Sequence, residues 1–411
     1  MTASRAIQMP LPPAEMPPAE PPFAALPASF VQSDLAKIGG GFPDTPEAQA
    51  RLAEKFSSAA ILLRQDMTER IADIALALDA LMRLPAYREA CLAAAPPIAQ
   101  IDQGTRGIFN ALDFHLAAEG PRLIEANTNG GGAFLLGLLG ELSGGQTRDE
   151  WEDRLVAMLR AEWALARPEQ SLRRVAIVDD APESQFLRDE FTLAAVALRR
   201  RGIDCLLLDP ADLDFHDGAL RHRGTAIDFV YNRLTRFSLE GEAERALALA
   251  YCHNAVVISP NPHIHAIWAC KRNLSVWSSA SALRAFGLPA PMALMLAESV
   301  PATAMVTPDN AEAIWRNRNA LYFKPVDGHA SKGVYAGAKI TRGAWQEVSA
   351  GGYVAQERVD PPLLQTPSGM MKVDIRAFVW NGAVVSLGAR LFRGQTMNFR
   401  TPGGGFAHIR R

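Results

Sequence analysis

The stretch Pro121-Arg-Leu-Ile-Glu-Ala-Asn-Thr-Asn-Gly-Gly-Gly-Ala-Phe134 constrains the chain more than any other. An apolar lead-in, Leu123 and Ile124, delivers Glu125 and Asn127 two residues apart, and three glycines follow. Residues i and i+2 of a strand point to the same side, so a carboxylate and an amide oxygen emerge together at the strand's end. Gly130, Gly131 and Gly132 allow backbone to come close to a bulky ligand. Two hard oxygen donors side by side suit Mg²⁺, which takes one or two carboxylates together with phosphate oxygens. A strand ending in a polar turn is the plainer alternative.

With 411 residues the chain has room for two or three domains. A formal net charge of -2 gives no reason to expect nucleic acid or an acidic membrane as partner. The basic run Arg199-Arg200-Arg201 falls at the end of a predicted helix, where cations favour the dipole. Cys91, Cys205, Cys252 and Cys270 are scattered, without zinc spacing, which fits a reducing cytoplasm. No apolar run reaches the roughly 18 residues of a membrane span, and the first residues lack the pattern of a secretory signal. The expectation is a soluble, cytoplasmic protein.

Residues 1–28 are rich in Pro, Ala and Glu, a composition that favours polyproline II or disorder over a core. From Thr45 to Ala94 the spacing of Leu52, Phe56, Ala59, Ala60 and Leu63 predicts helix, with Asp66 as cap of a second helix that Pro85 stops. Gly107–Leu116 and Leu123–Asn127 predict a hairpin across Ala118-Glu-Gly-Pro121, with Asp113 on the first strand. A carboxylate buried there needs a partner. After a helix over 147–167, Arg174–Val178, Gln185–Arg201, Asp204–Leu208 and Asp228–Tyr231 alternate strand and helix, the pattern of a parallel α/β unit. Asp179-Asp-Ala-Pro182 stands where a dinucleotide fold carries its glycines, which argues against that fold. Lys271–Phe286 predicts a helix, Ala320–Lys324 a strand ending in Lys324, and Val373–Trp380 with Ala383–Leu391 a hairpin across Asn381-Gly382. The domain expectation is a tail (1–28), a helical region with the hairpin (29–170), a parallel α/β domain (171–260) and a nucleotide-binding region (261–411).

Lys324-Pro-Val-Asp-Gly-His-Ala-Ser-Lys-Gly333 combines lysines with a glycine loop whose backbone N–H groups suit phosphate oxygens, though it is no P-loop. Gln356-Glu357 ends a strand in the manner of a hinge beside an adenine slot. Arg390, Arg393 and Arg400 gather guanidinium forks near a second glycine loop, which suits carboxylates or phosphates; a solvated charged face is the alternative.

In their joint order, Lys324–Gly333, Val354-Ala-Gln-Glu357, Asp374-Ile-Arg376 and Arg393–Gly405 resemble the ATP-grasp superfamily of carboxylate–amine ligases. Asp374-Ile-Arg-Ala-Phe-Val and Asn398-Phe-Arg-Thr-Pro-Gly-Gly-Gly405 are similar to its ribosomal-protein glutamate ligase branch. That branch carries its metal-binding Asp and Glu-x-Asn after the glycine loop. Here Asp113, Glu125 and Asn127 come first, which resembles the circular permutation of eukaryotic-type glutathione synthetases; Ile124-Glu-Ala-Asn-Thr128, Tyr231-Asn-Arg233 and Lys271 also resemble that family.

The resemblance implies a mixed α/β ATP-grasp fold, circularly permuted, with an inserted parallel α/β substrate domain and a helical N-terminal region. It implies a ligase that makes an acylphosphate from ATP and a small acid, then joins it to an amine. Asp113, Glu125 and Asn127 would hold Mg²⁺. Lys271 and Lys324 would contact ATP phosphates under the loop carrying Gly328, Ser331, Lys332 and Gly333, while Gln356 and Glu357 line the adenine and ribose slot. Arg376 and Arg390 would face the transferring phosphoryl, and Gln185, Arg233 and Arg400 the acceptor acid. The helical N-terminal region either buttresses the core or joins two copies. Phosphotransfer without ligation and non-catalytic nucleotide binding are the competing function classes.

Overall fold

A computed structural model of the chain describes residues 21–26, 45–142, 146–328, 333–394 and 401–410. Its largest element is an eight-stranded sheet assembled from three distant parts of the sequence. In spatial order the main path runs Phe23–Leu26, Phe56–Leu63, Gly405–Arg410, Ala383–Phe392, Gly369–Trp380, Asn110–Ala117 and Gly120–Asn127, with Leu363–Thr366 added alongside Gly369–Trp380. The pairing of Phe56–Leu63 with Gly405–Arg410 is parallel, and its other pairings are antiparallel. The hairpin carrying Glu125 and Asn127 therefore abuts the C-terminal strands directly.

Alternation along the strands separates an apolar face from a charged one. Val373, Ile375, Ala377 and Val379 enter a core with Leu112, Phe114, Ala389 and Leu391, under the helices Gln65–Met82 and Ala290–Ser299. Asp374 and Arg376, one residue out of phase, point to the opposite side. There the apolar residues Ala111, Phe378 and Phe406 pack against the helix Ala133–Leu142, and the charged ones floor a cavity.

A separate four-stranded parallel sheet has the order Val257–Ser259, Phe229–Asn232, Arg174–Val178, Asp204–Leu208. The helix Arg188–Arg200 follows the strand Arg174–Val178 and is closed by Gly202 at φ 77°, as the α/β pattern predicts. A third, antiparallel sheet orders Thr303–Met305, Tyr353–Glu357, Leu321–Pro325 and Tyr335–Ala336.

Several expectations are corrected. Phe56–Leu63 is a strand, because it lies between two partner strands that a local helical spacing does not register. Phe23–Leu26 is its edge partner, so the tail assigned to residues 1–28 contributes to the sheet and buries Phe23. Asp66 lies in the first turn of its helix rather than at the cap and pairs with Arg64. Pro85, besides following one helix, opens the next, Pro85–Ala93, at a position where its missing N–H costs nothing. The predicted helix over 271–286 is two short ones, Asn273–Trp277 and Ala280–Ala285, divided where Ser279 caps the second. Gly405, placed within a terminal loop, begins a strand.

Candidate active site

The charged face of the large sheet forms a row of interlocked ion pairs. Across the strands Asp113 stands opposite Arg376, and Asp374 opposite Arg390. Arg376 donates from Nε and Nη2 to the two oxygens of Asp113, both at 2.7 Å. Arg390 makes the same fork to Asp374, again at 2.7 Å, and reaches Asp113 Oδ2 at 3.1 Å. Burial pushes the Asp113 carboxyl up, but Arg376 and Arg390 outweigh it and hold the group well below the usual carboxylate range. For Asp374 burial prevails and the direction is upward. The partner that a buried Asp113 demands is thus found twice over. Both Asp113 oxygens are engaged by guanidinium groups, so this residue sets the arginines in place, whereas Glu125 next to it is only half-buried.

Asn127 donates from Nδ2 to Glu125 Oε1 at 3.2 Å and to Asp113 Oδ2 at 3.1 Å. A half-turn of the amide exchanges nitrogen for oxygen at that point. Among the described residues no group of three or more His, Cys, Asp or Glu side chains has metal-holding geometry. Glu125 and Asn127 lie side by side next to Asp113 and offer oxygen to a hard cation, a set that fits Mg²⁺ sharing phosphate oxygens and water.

Facing this floor are two lysines. Lys324 is buried to 6% exposure and donates to Gln356 Oε1 at 2.7 Å and to the Ile124 carbonyl at 3.0 Å. Ile124 is the extra residue of a β-bulge: the ladder pairs Phe114 with Leu123 but Asp113 with Glu125. Its carbonyl is thereby released from the ladder to accept the ammonium. Burial, with help from nearby Lys271, pulls the Lys324 pKa down to about 8 against the pull of Glu125. Lys271 donates to the carbonyl of Gly328 at the start of the glycine loop. Neither lysine has a salt bridge among the described residues. Gln356 Nε2 is buried without a protein hydrogen-bond partner, a donor open to a ligand or to water.

These groups surround one cavity of about 440 Å³. Asp113, Glu125, Asn127, Lys271, Lys324, Gly328, Gln356, Glu357, Arg376 and Arg390 all line it, from strands as far apart as 113 and 390. His115, two residues beyond Asp113 on the same face, lines it too and donates from Nδ1 to the Val359 carbonyl at 2.6 Å. Its place was readable from the strand's period. Thr235, Phe237 and His265 also line the cavity. They lie on the C-terminal side of the parallel strands Phe229–Asn232 and Val257–Ser259, and no local pattern marks them.

The glycine run does not face a ligand. A Cβ at Gly130 would lie 2.5 Å from Ala111 Cβ, at Gly131 2.3 Å from Leu187 Cδ1, and at Gly132 2.1 Å from the Phe406 ring. These glycines are needed for close packing of protein on protein. The N–H groups of Gly132 and Phe134, at the start of a helix, donate to the buried carboxylate of Glu190. Arg233 is pinned beside them, donating from Nη1 to the carbonyls of Asn129 at 2.7 Å and Gly130 at 3.1 Å. Gln185 donates to the Asp180 carbonyl at 2.6 Å. Neither Arg233 nor Gln185 lines the cavity; both lie beyond the C-terminal ends of neighbouring parallel strands. Gly333 takes φ 70° just past the loop. Ser331, Lys332 and Arg400 lie outside the described residues.

No protein-family model matches the chain, and no curated protein matches it. Among solved structures, a glutathione synthetase-like effector from Globodera pallida in its apo form aligns over 86% of this chain and 89% of its own, at 12% identity and a TM-score of 0.56. A candidate gamma-glutamylcysteine synthetase from Methylobacillus flagellatus aligns over 82% and 86% at 12% identity, with a TM-score of 0.48. The ATP-grasp ligase PsnB, complexed with a minimal precursor, Mg and ADP, aligns over 57% and 87% at 13% identity, with a TM-score of 0.27. The last two are too distant in shape to add to the first. The chain has the fold of the glutathione synthetase-like effector.

Proposed function

We propose that the protein is an ATP-dependent carboxylate–amine ligase of glutathione-synthetase-like type, joining a small acid to an amine. The observation that carries this reading is the pairing of Lys271 and Lys324, two ammonium groups without ion-pair partners among the described residues, with the oxygen donors Glu125 and Asn127 across one cavity. Cations on one wall and a hard-metal set on the other suit a nucleotide triphosphate.

ATP is a substrate in this reading. Lys271 and Lys324 hold its phosphates, beside the Gly328 carbonyl that Lys271 engages. Gln356 and Glu357 receive the base and ribose, Gln356 using its unpartnered Nε2. Glu125 and Asn127 hold Mg²⁺, which when bound supplies positive charge to phosphate oxygens. Arg390 has its Nε and Nη2 committed to Asp374 and Asp113, leaving Nη1 for the transferring phosphoryl. Arg376 stiffens that corner through Asp113 and the Gly131 carbonyl. Gln185, Arg233 and Arg400 serve the part of the acceptor acid that extends out of the cavity, the first two from the crevice side of the parallel sheet, where such sheets take ligands. The acid's oxygen forms a bond to the γ-phosphorus as the bond to ADP breaks. The amine nitrogen then bonds to the acyl carbon while phosphate leaves with the C–O electron pair, and the amine's proton passes to solvent. The chain's contribution is positioning and charge neutralisation.

Incubation with Mg·ATP, hydroxylamine and a panel of amino acids and γ-glutamyl dipeptides tests the reading. The expected result is acid-dependent ADP release with a hydroxamate product. Phosphorylated acid without hydroxamate would favour the phosphotransferase class, and ATP binding with no acid-dependent ADP release would favour a non-catalytic one.

A further inference from the structure

Thr128, Thr235, Phe237 and His265 are uncharged members of the cavity lining. His265 stacks on Phe237 with ring centroids 4.0 Å apart and planes 6° from parallel, so its plane is fixed. Its Nδ1 lies 2.9 Å from Thr128 Oγ1. Thr128 is fully buried, and this is its side chain's partner among the described residues. A buried hydroxyl that only accepted here would leave its own proton unpaired, at a cost the site avoids if the hydroxyl donates to Nδ1. The imidazole proton then resides on Nε2, on a ring that lines the cavity and has no other protein hydrogen bond among the described residues. Burial, reinforced by Lys271, lowers the pKa of His265 to about 3, so the ring stays uncharged.

An acyl oxygen is carboxylate at the start of the proposed reaction, uncharged in the activated acid, and negative again as the amine adds. A cation at this position would compete for the phosphates that Lys271 and Lys324 already hold. An uncharged N–H serves the oxygen at each stage and leaves the phosphates to the lysines.

We infer that His265 is the neutral hydrogen-bond donor that orients the acid's reacting carboxyl group, its Nε2–H serving an acyl oxygen and Thr128 with Phe237 fixing its tautomer and plane. This rests on the ligase reading above and names the part of the cavity that takes the acid.

The test uses the full chain, γ-glutamylcysteine as the acid probe, Mg·ATP and hydroxylamine. H265L is expected to lower the hydroxamate rate per half-saturating γ-glutamylcysteine concentration on the order of 10- to 100-fold. The half-saturating ATP concentration is expected to stay within about twofold, because the lost contact is to the acid. The thermal shift given by Mg·ATP alone should persist in H265L. H265Q, which returns an N–H near the position of Nε2, should recover most of the loss and serves as the folded control. Wild-type behaviour of H265L overturns the inference. So does an H265Q as impaired as H265L, which would assign the ring to proton abstraction or packing. If the wild-type chain makes no hydroxamate from γ-glutamylcysteine but does so from another acid of the panel, the same variants are compared on that acid. If it makes none from any, the ligase reading fails and this inference with it.

Discussion

Lys324 holds an ammonium group almost wholly withdrawn from water, against two neutral oxygens. Its pKa falls from 10.5 to about 8 on folding. Between those values the unfolded chain binds a proton that the folded chain does not, so ligand-free stability rises with pH across the window and is lowest below about 8. Denaturant unfolding at pH 7.5 and pH 9.5 should show this rise, and Lys324→Met should erase it. The same variant should lose the thermal shift given by Mg·ATP, since a phosphate contact goes with the charge. The cost that the native fold carries at Lys324 is thereby tied to the ligand it is proposed to bind. This lysine was readable in the sequence as the last residue of a strand before a glycine loop. Its partners were not, because Gln356 and Ile124 reach it from 32 residues downstream and 200 upstream.

At the level of elements, two bulges decide which side chains meet. From the turn at Asn381-Gly382, Trp380 pairs with Ala383 and Val379 with Val384. Continued without interruption, that register sets Ala389 opposite Asp374. The shift between Phe378 and Val379 brings Arg390 there instead. The bulge at Ile124 likewise brings Glu125, rather than Ile124, opposite Asp113. Both hairpins were legible from turn chemistry and alternation, and so was the parallel α/β unit. The bulges were not, because an inserted residue leaves a local pattern that reads equally well in either register. The Asp374–Arg390 pair supplies a test. Asp374→Leu should destabilise the chain by roughly 1–3 kcal/mol, because the buried Arg390 guanidinium loses its two-point partner and keeps only Asp113. Asp374→Leu combined with Arg390→Met should recover most of that loss, as read from denaturant midpoints in a double-mutant cycle. A double variant that loses the sum of the Asp374→Leu and Arg390→Met losses, each measured alone, would show that the two side chains act independently.

On the scale of the whole molecule, the sheet that carries the candidate site is completed by strands far apart in sequence. Phe56–Leu63 lies between Phe23–Leu26 and Gly405–Arg410, and the last of these also holds Ala383–Phe392. A chain stopped after Gly404 should leave two strand edges unpaired and accumulate as aggregate, measured as the soluble fraction and by size-exclusion elution. A soluble, monomeric product that keeps its Mg·ATP thermal shift would contradict the importance given to this strand. The arrangement also bears on how the protein is made. At about 5–20 residues per second, roughly 20–70 s separate the synthesis of Phe56–Leu63 from that of its parallel partner. During that interval the parallel sheet formed by residues 174–259 can close on its own, since its strands lie close together in sequence. The eight-stranded sheet cannot. A cell producing this chain must therefore keep an apolar strand from other nascent chains throughout that interval, so its yield should depend more on chaperone supply and elongation rate than on the stability of the finished fold.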